Sequence, residues 1–167
     1  MIKLNAPILF NNYIHPICLP DFRNEDFTIN KSCFITGWGN TGSSGNDDRL
    51  RQAEIPIADP IKCLKNYAPL KSYVIVPDIM ICAGFDIGNQ DACKVSLKYF
   101  FINKDSSNLN YKGDSGGPLA INLRRRWYLL GVVSSGGDNG CGQPGLFGLY
   151  TKVYRYFDWI KKIIQEN

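Results

Sequence analysis

The sequence predicts an all-β fold that ends in one helix. Short segments alternate small or polar residues with apolar ones and are separated by turn-forming residues, a pattern typical of strands. At the carboxyl end the apolar residues instead recur with a period of about 3.6, which indicates a helix. The segments with strand character are 32–39, 50–57, 118–121 and 127–133, and the helical segment is 153–167.

The composition is that of a globular protein and gives no sign of a nucleic-acid or membrane role. The chain has 167 residues, of which 44% are hydrophobic and 13% aromatic, enough to bury a substantial core. It contains no apolar run of about 18 residues, so no transmembrane helix is expected. The net charge of +4 is too small to indicate a nucleic-acid partner.

Six cysteines and a single histidine argue against a metal site. No two cysteines form the Cys-x-x-Cys pair that is typical of structural zinc. Their separations instead suit the disulfides of a secreted protein, which form in an oxidising compartment. We expect neither a metal ion nor a cofactor.

The first part of the chain predicts a connector, two loops and a short helix. Residues 1–20 are expected to form a strand end, a turn and an extended connector, and residues 21–31 a polar loop. The segment 40–48, rich in glycine and serine, is expected to be an exposed loop. Asp59 followed by proline is a pair that can begin a helix, here one that contains Cys63.

Three consecutive arginines, 124–126, separate the strand segments 118–121 and 127–133. A charged turn between two apolar segments predicts a hairpin whose tip lies in solvent. A binding surface for polyanions is the alternative interpretation of the same residues.

The most specific chemical signal is the segment 113–118, Gly-Asp-Ser-Gly-Gly-Pro. Glycines on both sides of Ser115 let the backbone turn tightly and leave the hydroxyl open to a substrate. A serine hydroxyl becomes an effective nucleophile only with a base beside it and with N–H donors directed at the developing oxyanion. The N–H groups of Gly113 and Ser115 are the candidates for those donors.

This hexapeptide resembles the nucleophile loop of the chymotrypsin/trypsin family of serine endopeptidases. The resemblance implies the C-terminal six-stranded antiparallel barrel of a two-barrel fold, with an interbarrel connector at 1–31, the barrel at 32–152 and a helix at 153–167. Other segments that resemble the family, in the family's order, are 15–20, 32–39, 80–85, 91–94, 131–136 and 148–153.

The resemblance also implies which residues hold and cleave the substrate. Ser115 would be the nucleophile of an acyl transfer. Asp91 would lie at the base of a trypsin-like specificity pocket, which implies cleavage after arginine or lysine. Ser134, Gly136 and Gly148 would line that pocket.

Two further implications concern activation and cross-linking. Asp114 would pair with the new amino terminus that activation creates in this family. The family pattern pairs Cys63 with Cys82 and Cys93 with Cys141, the second pair bracing the pocket.

The segment 95–112 departs from the family pattern. Asp91 and Ser115 are 24 positions apart, whereas the family separates them by six, and deleting 95–112 restores the family spacing. We hypothesise an unspliced intron, because residues 94–96 can be encoded by a splice-donor sequence and the codon of Lys112 can end as an acceptor does. A genuine surface loop beside the active site is the alternative.

The histidine and aspartate of the triad are not found in the sequence. The family's chain order of His, Asp and Ser places both before Ser115. His15 is the only histidine, but it lies in the connector motif, where we expect a structural role. The resemblance places the aspartate in a strand that leads into Lys3 and Leu4, just upstream of Met1. We therefore expect an N-terminal barrel and a signal peptide upstream, with Cys18 as a candidate for a disulfide to that barrel.

The prediction is therefore a secreted serine endopeptidase that acts on protein or peptide substrates, of which this chain is a fragment inactive alone. Ser135 stands where most members have tryptophan, and Ile121 replaces the family partner of Cys33. Both departures favour an alternative, a non-catalytic homologue that binds extracellular proteins. Cys18 and Cys33 could be free, paired with each other or paired elsewhere. An independently folding disulfide-bonded domain without a protease role is a second alternative.

Overall fold

The computed structural model describes residues 1–21, 29–39, 50–70, 74–87, 114–136 and 144–166. Within these ranges the chain forms strands joined by turns, with one short helix between the second and third strands and one helix at the end. The elements are β1 (Ser32–Gly37), β2 (Arg51–Pro56), α1 (Pro60–Tyr67), β3 (Met80–Ala83), β4 (Pro118–Leu123), β5 (Arg126–Ser135), β6 (Gly148–Lys152), a 3₁₀ turn (Val153–Tyr156) and α2 (Phe157–Gln165).

The six strands form one antiparallel sheet in the order β2-β1-β4-β5-β6-β3. The two outer strands, β2 and β3, meet at an antiparallel bridge between Ile57 and Ala83. Beside this bridge the Ala58 N–H donates to the Cys82 carbonyl at 2.9 Å. The sheet therefore curls until its edges meet, and the predicted all-β, six-stranded antiparallel barrel is confirmed.

The interior of the barrel is filled by every second residue of the strands. In β1, Cys33 and Ile35 are buried, while Phe34 between them is only half-buried. This alternation follows from the two-residue period of a strand, which directs neighbouring side chains to opposite faces. Each fully buried Leu or Ile contributes about 1.5–3 kcal/mol. The other buried core residues are Ala53, Ile55, Ile57, Ile81, Ala83, Leu119, Ile121, Leu130 and Tyr150.

The hairpin predicted around the three arginines is confirmed. β4 and β5 pair through Leu123 and Arg126, which leaves Arg124 and Arg125 as a two-residue turn. Both have positive φ, 50° and 64°. Such a turn matches the twist of the two strands, although asparagine and glycine are the residues that adopt it most easily.

The short helix predicted after Asp59 is also confirmed. The Asp59 side chain accepts a hydrogen bond from the Ile61 N–H at 2.8 Å, and proline occupies the first helical position, where its missing N–H costs nothing. The predicted disulfide between Cys63 and Cys82 joins this helix to β3. The helix is thereby fixed against one edge of the barrel.

The connector runs beside the start of β5. The Cys18 N–H donates to the Trp127 carbonyl at 3.0 Å, and the Leu129 N–H donates to the Cys18 carbonyl at 2.9 Å. These bonds form a parallel bridge between Cys18 and Tyr128. Residues before Cys18 therefore lead towards the arginine turn.

The terminal helix is present, but its apolar side is only partly covered by the described residues. Phe157, Ile160 and Ile163 are half-buried, whereas Trp159 is 51% and Ile164 62% exposed. No residue of α2 is fully buried against the part of the chain that the structure describes. The 3.6-residue period thus predicted the helix correctly and overstated how completely it packs.

Candidate active site

Ser115 lies at the tip of a tight turn that precedes β4. The Gly117 N–H donates to the Asp114 carbonyl at 2.9 Å, so Ser115 and Gly116 are the two central residues. Gly116 has φ of 85°, the value that a type II turn requires at its third residue and that glycine adopts without strain. The Ser115 side chain is exposed as a result.

The turn is attached to β5 by two backbone hydrogen bonds. The Gly116 N–H donates to the Val133 carbonyl, and the Val133 N–H donates to the Gly117 carbonyl, both at 2.9 Å. No described residue accepts a hydrogen bond from the Ser115 N–H. Within the described part of the chain that N–H group is therefore open to an oxyanion, and its role as an oxyanion donor stays a prediction. Gly113, the other predicted donor, lies outside the described residues.

The Asp114 carboxylate occupies a cradle formed by two glycines at the end of β1. The Gly39 N–H donates to Asp114 Oδ1 at 2.8 Å. A Cβ atom added at either Gly37 or Gly39 would lie less than 3.0 Å from an Asp114 carboxylate oxygen. Side chains at these two positions would displace the carboxylate, so both glycines are required by the close approach.

This cradle was missed at the level of sequence. The pattern of residues 32–39 predicts a strand that runs into a turn, and it does not indicate a partner for the two glycines. The two glycines that flank Trp38 were the only available signal. Among the described residues, no basic side chain pairs with Asp114.

Of the predicted pocket residues that the structure describes, Ser134 lies next to the residue that holds the serine turn. Ser134 directly follows Val133, the residue to which the turn is bonded, and the β5–β6 register shifts between Val133 and Ser135. Ser134 is exposed, while Gly148 at the start of β6 is buried and pairs with Ala83. Gly136 follows the end of β5.

Asp91, which would form the base of the pocket, lies outside the described residues, as do the predicted Cys93–Cys141 disulfide and the segment 95–112. The complete pocket therefore stays a prediction.

Cys18 and Cys33 are free thiols in the structure. Cys18 lies against β5, and Cys33 lies on β1, with β4 between those two strands. Three interstrand spacings of about 4.8 Å separate them, and a disulfide requires Cα atoms within about 7 Å. Pairing with each other is thus excluded by this arrangement.

His15 is far from the serine turn. The parallel bridge aligns Cys18 with Tyr128, and Val133 lies five residues further along β5, a distance of about 16 Å. His15 precedes Cys18, so the chain carries it away from Val133. The structure does not bring His15 and Ser115 together.

Neither a metal cluster nor a membrane span is found in the described ranges. No three His, Cys, Asp or Glu side chains there are placed to share a metal ion. None of the helices there has both the length and the apolar character needed to cross a bilayer.

Comparison with known proteins gives one family. A sequence model of the trypsin family matches residues 1–95 and 99–160, and the break between the two matched parts falls within the segment 95–112. Serine protease 41 of Homo sapiens is 32% identical over 171 residues, covering 100% of this chain and 47% of that protein. Trypsin-1 of Astacus astacus is 35% identical over 162 residues, covering 96% of this chain and 57% of that protein.

A third relative, transmembrane protease serine 11G of Mus musculus, is 39% identical over 163 residues, which cover 96% of this chain and 33% of that protein. The chain therefore spans between about a third and somewhat over half of the length of these relatives.

Proposed function

The chain belongs to the trypsin family of serine proteases, and from that premise we propose that it is the nucleophile-bearing part of a secreted endopeptidase. Its substrates are proteins or peptides, cleaved after arginine or lysine. The observation that carries the proposal is the geometry of Ser115, which is exposed at the tip of a type II turn with its own N–H unoccupied by any described residue.

The chemistry assigned to this turn is acyl transfer. The Ser115 Oγ attacks the scissile carbonyl carbon and loses its proton to an imidazole, while the carbonyl oxygen becomes an oxyanion. The Ser115 N–H, joined by that of Gly113, donates to the oxyanion. Because the turn is bonded to Val133 on both sides, the Ser115 N–H is held in place before the substrate arrives, which is what makes such a donor effective.

Specificity is assigned to the end of β5 and the start of β6. Ser134 follows the residue that holds the serine turn, so a side chain inserted beside Ser134 would bring its peptide bond close to Ser115. The small residues Gly136 and Gly148 leave room for a long side chain. Asp91 would supply the carboxylate that selects arginine or lysine.

We propose that the 167 residues alone do not catalyse hydrolysis. The only histidine, His15, lies at the opposite end of β5 from the serine turn, so Ser115 lacks a base. A further barrel carrying the base and its orienting carboxylate would complete the site, with Cys18 as a candidate for a covalent link to it. The Cys63–Cys82 disulfide supports secretion, because such bonds persist in oxidising compartments.

A non-catalytic binding protein of the same family is the second candidate. Ser135, which replaces the family's usual tryptophan, is exposed, and Cys33 is a free buried thiol in the core beside Ile121. Both positions depart from the family pattern while the barrel is kept, and these departures favour a binding role.

The test is to read the full-length transcript and to express its secreted product. Peptide amides with Arg, Lys, Phe or Leu before the scissile bond are then assayed. We expect hydrolysis after Arg and Lys alone, and a loss of about 10⁴-fold or more in kcat for Ser115→Ala. Asp91→Ser should remove the Arg/Lys preference while Ser115 still reacts with a fluorophosphonate.

A full-length product that contains no second histidine and does not react with the fluorophosphonate would overturn the enzyme proposal and support the non-catalytic binding protein. Hydrolysis that shows no preference for Arg or Lys would overturn the assigned specificity alone.

A further inference from the structure

Two segments of this protein carry positive charge with no carboxylate to offset it. Of 19 basic and 15 acidic residues in the chain, the segments 1–20 and 115–135 contain four basic residues and no carboxylate. These four are Lys3 and the arginines 124–126. The remaining 15 basic and 15 acidic residues balance, so these four account for the whole net charge of +4.

The fold brings the two segments together. Cys18 is bonded to Trp127 and Leu129 at the start of β5, and the parallel direction of this bridge carries the preceding residues towards the hairpin turn. Lys3 and His15 line the same hollow in the connector. The three arginines therefore lie at the end of the barrel towards which the connector leads. We call Arg124, Arg125 and Arg126 the arginine tip.

The arginine tip is exposed and has no ion pair within the described part of the chain. All three side chains are exposed, and no carboxylate in the described part of the chain lies within ion-pairing distance of them. Below the tip, Trp127 packs edge-on against Phe34 with ring centroids 5.2 Å apart. This contact fixes the base of the hairpin, so the arginines project from a rigid support.

The turn does not need arginine for its own stability. Arg124 and Arg125 have φ of 50° and 64°, in the left-handed region that costs a residue with a Cβ about 1–2 kcal/mol. Asn-Gly is the sequence that this type of turn favours. The arginine side chains are therefore not explained by the turn, and their charge, which no described carboxylate neutralises, favours a role in binding.

We propose that the arginine tip binds a linear sulfated polysaccharide. A guanidinium presents a planar pair of donors that matches the oxygens of a tetrahedral anion, and three adjacent guanidiniums match an anionic group repeated along a chain. The Cys63–Cys82 disulfide indicates an oxidising compartment, which favours an extracellular polysaccharide over a nucleic acid. The proposal is independent of whether Ser115 is catalytically active.

The test uses the full chain and heparin as the probe, with affinity measured by fluorescence anisotropy between 50 and 300 mM NaCl. We expect log K to fall linearly with log salt, because bound cations are released from the polyanion. Arg124→Asn/Arg125→Gly should weaken binding about tenfold or more near 150 mM NaCl and reduce the magnitude of the salt slope by about two. This variant improves the turn, so lost binding cannot be attributed to unfolding.

The matched control is Lys62→Gln/Lys65→Gln. It removes two positive charges from exposed positions of α1, one of them paired with Asp86. The disulfide joins α1 to β3, an outer strand, whereas the tip connects β4 and β5. We expect its heparin affinity to stay within about twofold of that of the unmodified chain. Arg126→Gln, outside the two turn residues, should weaken binding in the same direction as the turn variant.

Three results would overturn the proposal. Heparin binding that is absent or insensitive to salt is the first. Equal losses in the turn variant and the α1 control would show that net charge alone is responsible. Equal or tighter binding of desulfated heparin, or of an oligonucleotide of matched charge, would refute the sulfated polysaccharide as the ligand.

Discussion

The Gly39 N–H donates to Asp114 Oδ1 at 2.8 Å, across 75 positions of sequence. This bond ties the residue before Ser115 to the end of β1. The carboxylate is held where Gly37 and Gly39 have no Cβ atoms to exclude it. The position of the serine turn therefore depends on two glycines in a distant part of the chain as well as on those beside it.

Gly37→Ala should destabilise the chain by about 1–3 kcal/mol, the usual cost of adding a methyl group to a filled site. The new Cβ would lie less than 3.0 Å from Asp114 Oδ1, so the carboxylate must leave and lose its bond to Gly39. Urea denaturation of the two chains measures the difference.

The same substitution in an Asp114→Ala background should cost at least about 1 kcal/mol less, because the clashing carboxylate is gone. Gly117→Ala is the matched control, since its Cβ would meet the backbone oxygen of Asp114 at 2.8 Å, which Asp114→Ala does not remove. The cost of Gly117→Ala should therefore be the same in both backgrounds. If the cost of Gly37→Ala is also the same in both backgrounds, the cradle plays no part.

Local patterns were sufficient to predict much of the barrel. The alternation around Cys33 and Ile35 fixed which face of β1 is buried, the arginines fixed the hairpin turn, and Asp59 with its following proline fixed the start of α1. In each case the physical cause acts over a few residues, so a single sequence contains it.

The remaining features join residues that are distant in the chain. Closure of the barrel through Ile57 and Ala83 and the Gly39–Asp114 bond depend on how strands pair, which no local period encodes. The period of α2 likewise identified its apolar side but not what covers it. The serine turn could be predicted from its glycines, whereas its attachment to Val133 could not.

Arg124→Asn/Arg125→Gly should stabilise the chain by about 1 kcal/mol or more. Both positions have positive φ, which asparagine and glycine tolerate better than arginine does. Thermal and urea unfolding of the variant measure the gain. Arg126→Gln, at a strand position, should leave stability unchanged within about 0.5 kcal/mol; a gain equal to that of the turn variant would attribute the effect to charge repulsion instead of backbone strain.

Replacing Cys63 and Cys82 by alanine should cost about 3 kcal/mol, the loop-closure value for a bond across 19 positions. Reduction of the unmodified chain by dithiothreitol should cost at least as much, because it also opens the predicted Cys93–Cys141 disulfide. Urea unfolding with and without the reductant provides the comparison, and the reductant should cost the double variant about 3 kcal/mol less than it costs the unmodified chain. A reductant effect of equal size in both proteins would place the responsible disulfide elsewhere.

Cys33 should make stability fall at alkaline pH. Its thiol is fully buried, and desolvation, opposed by the charge of Lys31, raises its pKa to about 12. An exposed thiol has a pKa of about 8.5, so as the pH rises the unfolded chain loses this proton before the folded chain does. Because the folded pKa is the higher one, the contribution of the neutral thiol is fully present below about pH 8.5 and is lost as pH rises towards 12.

The free energy of unfolding, measured between pH 8 and 11, should therefore fall less steeply for Cys33→Ala than for the unmodified chain. At pH 7 we expect Cys33→Ala to be the less stable protein, because the substitution leaves a cavity. Tyrosines and lysines titrate in both proteins and cancel in the comparison. Cys18→Ala removes a half-buried thiol and supplies the matched control. Parallel pH profiles for Cys33→Ala and the unmodified chain would mean that the Cys33 thiol is not held neutral by the core.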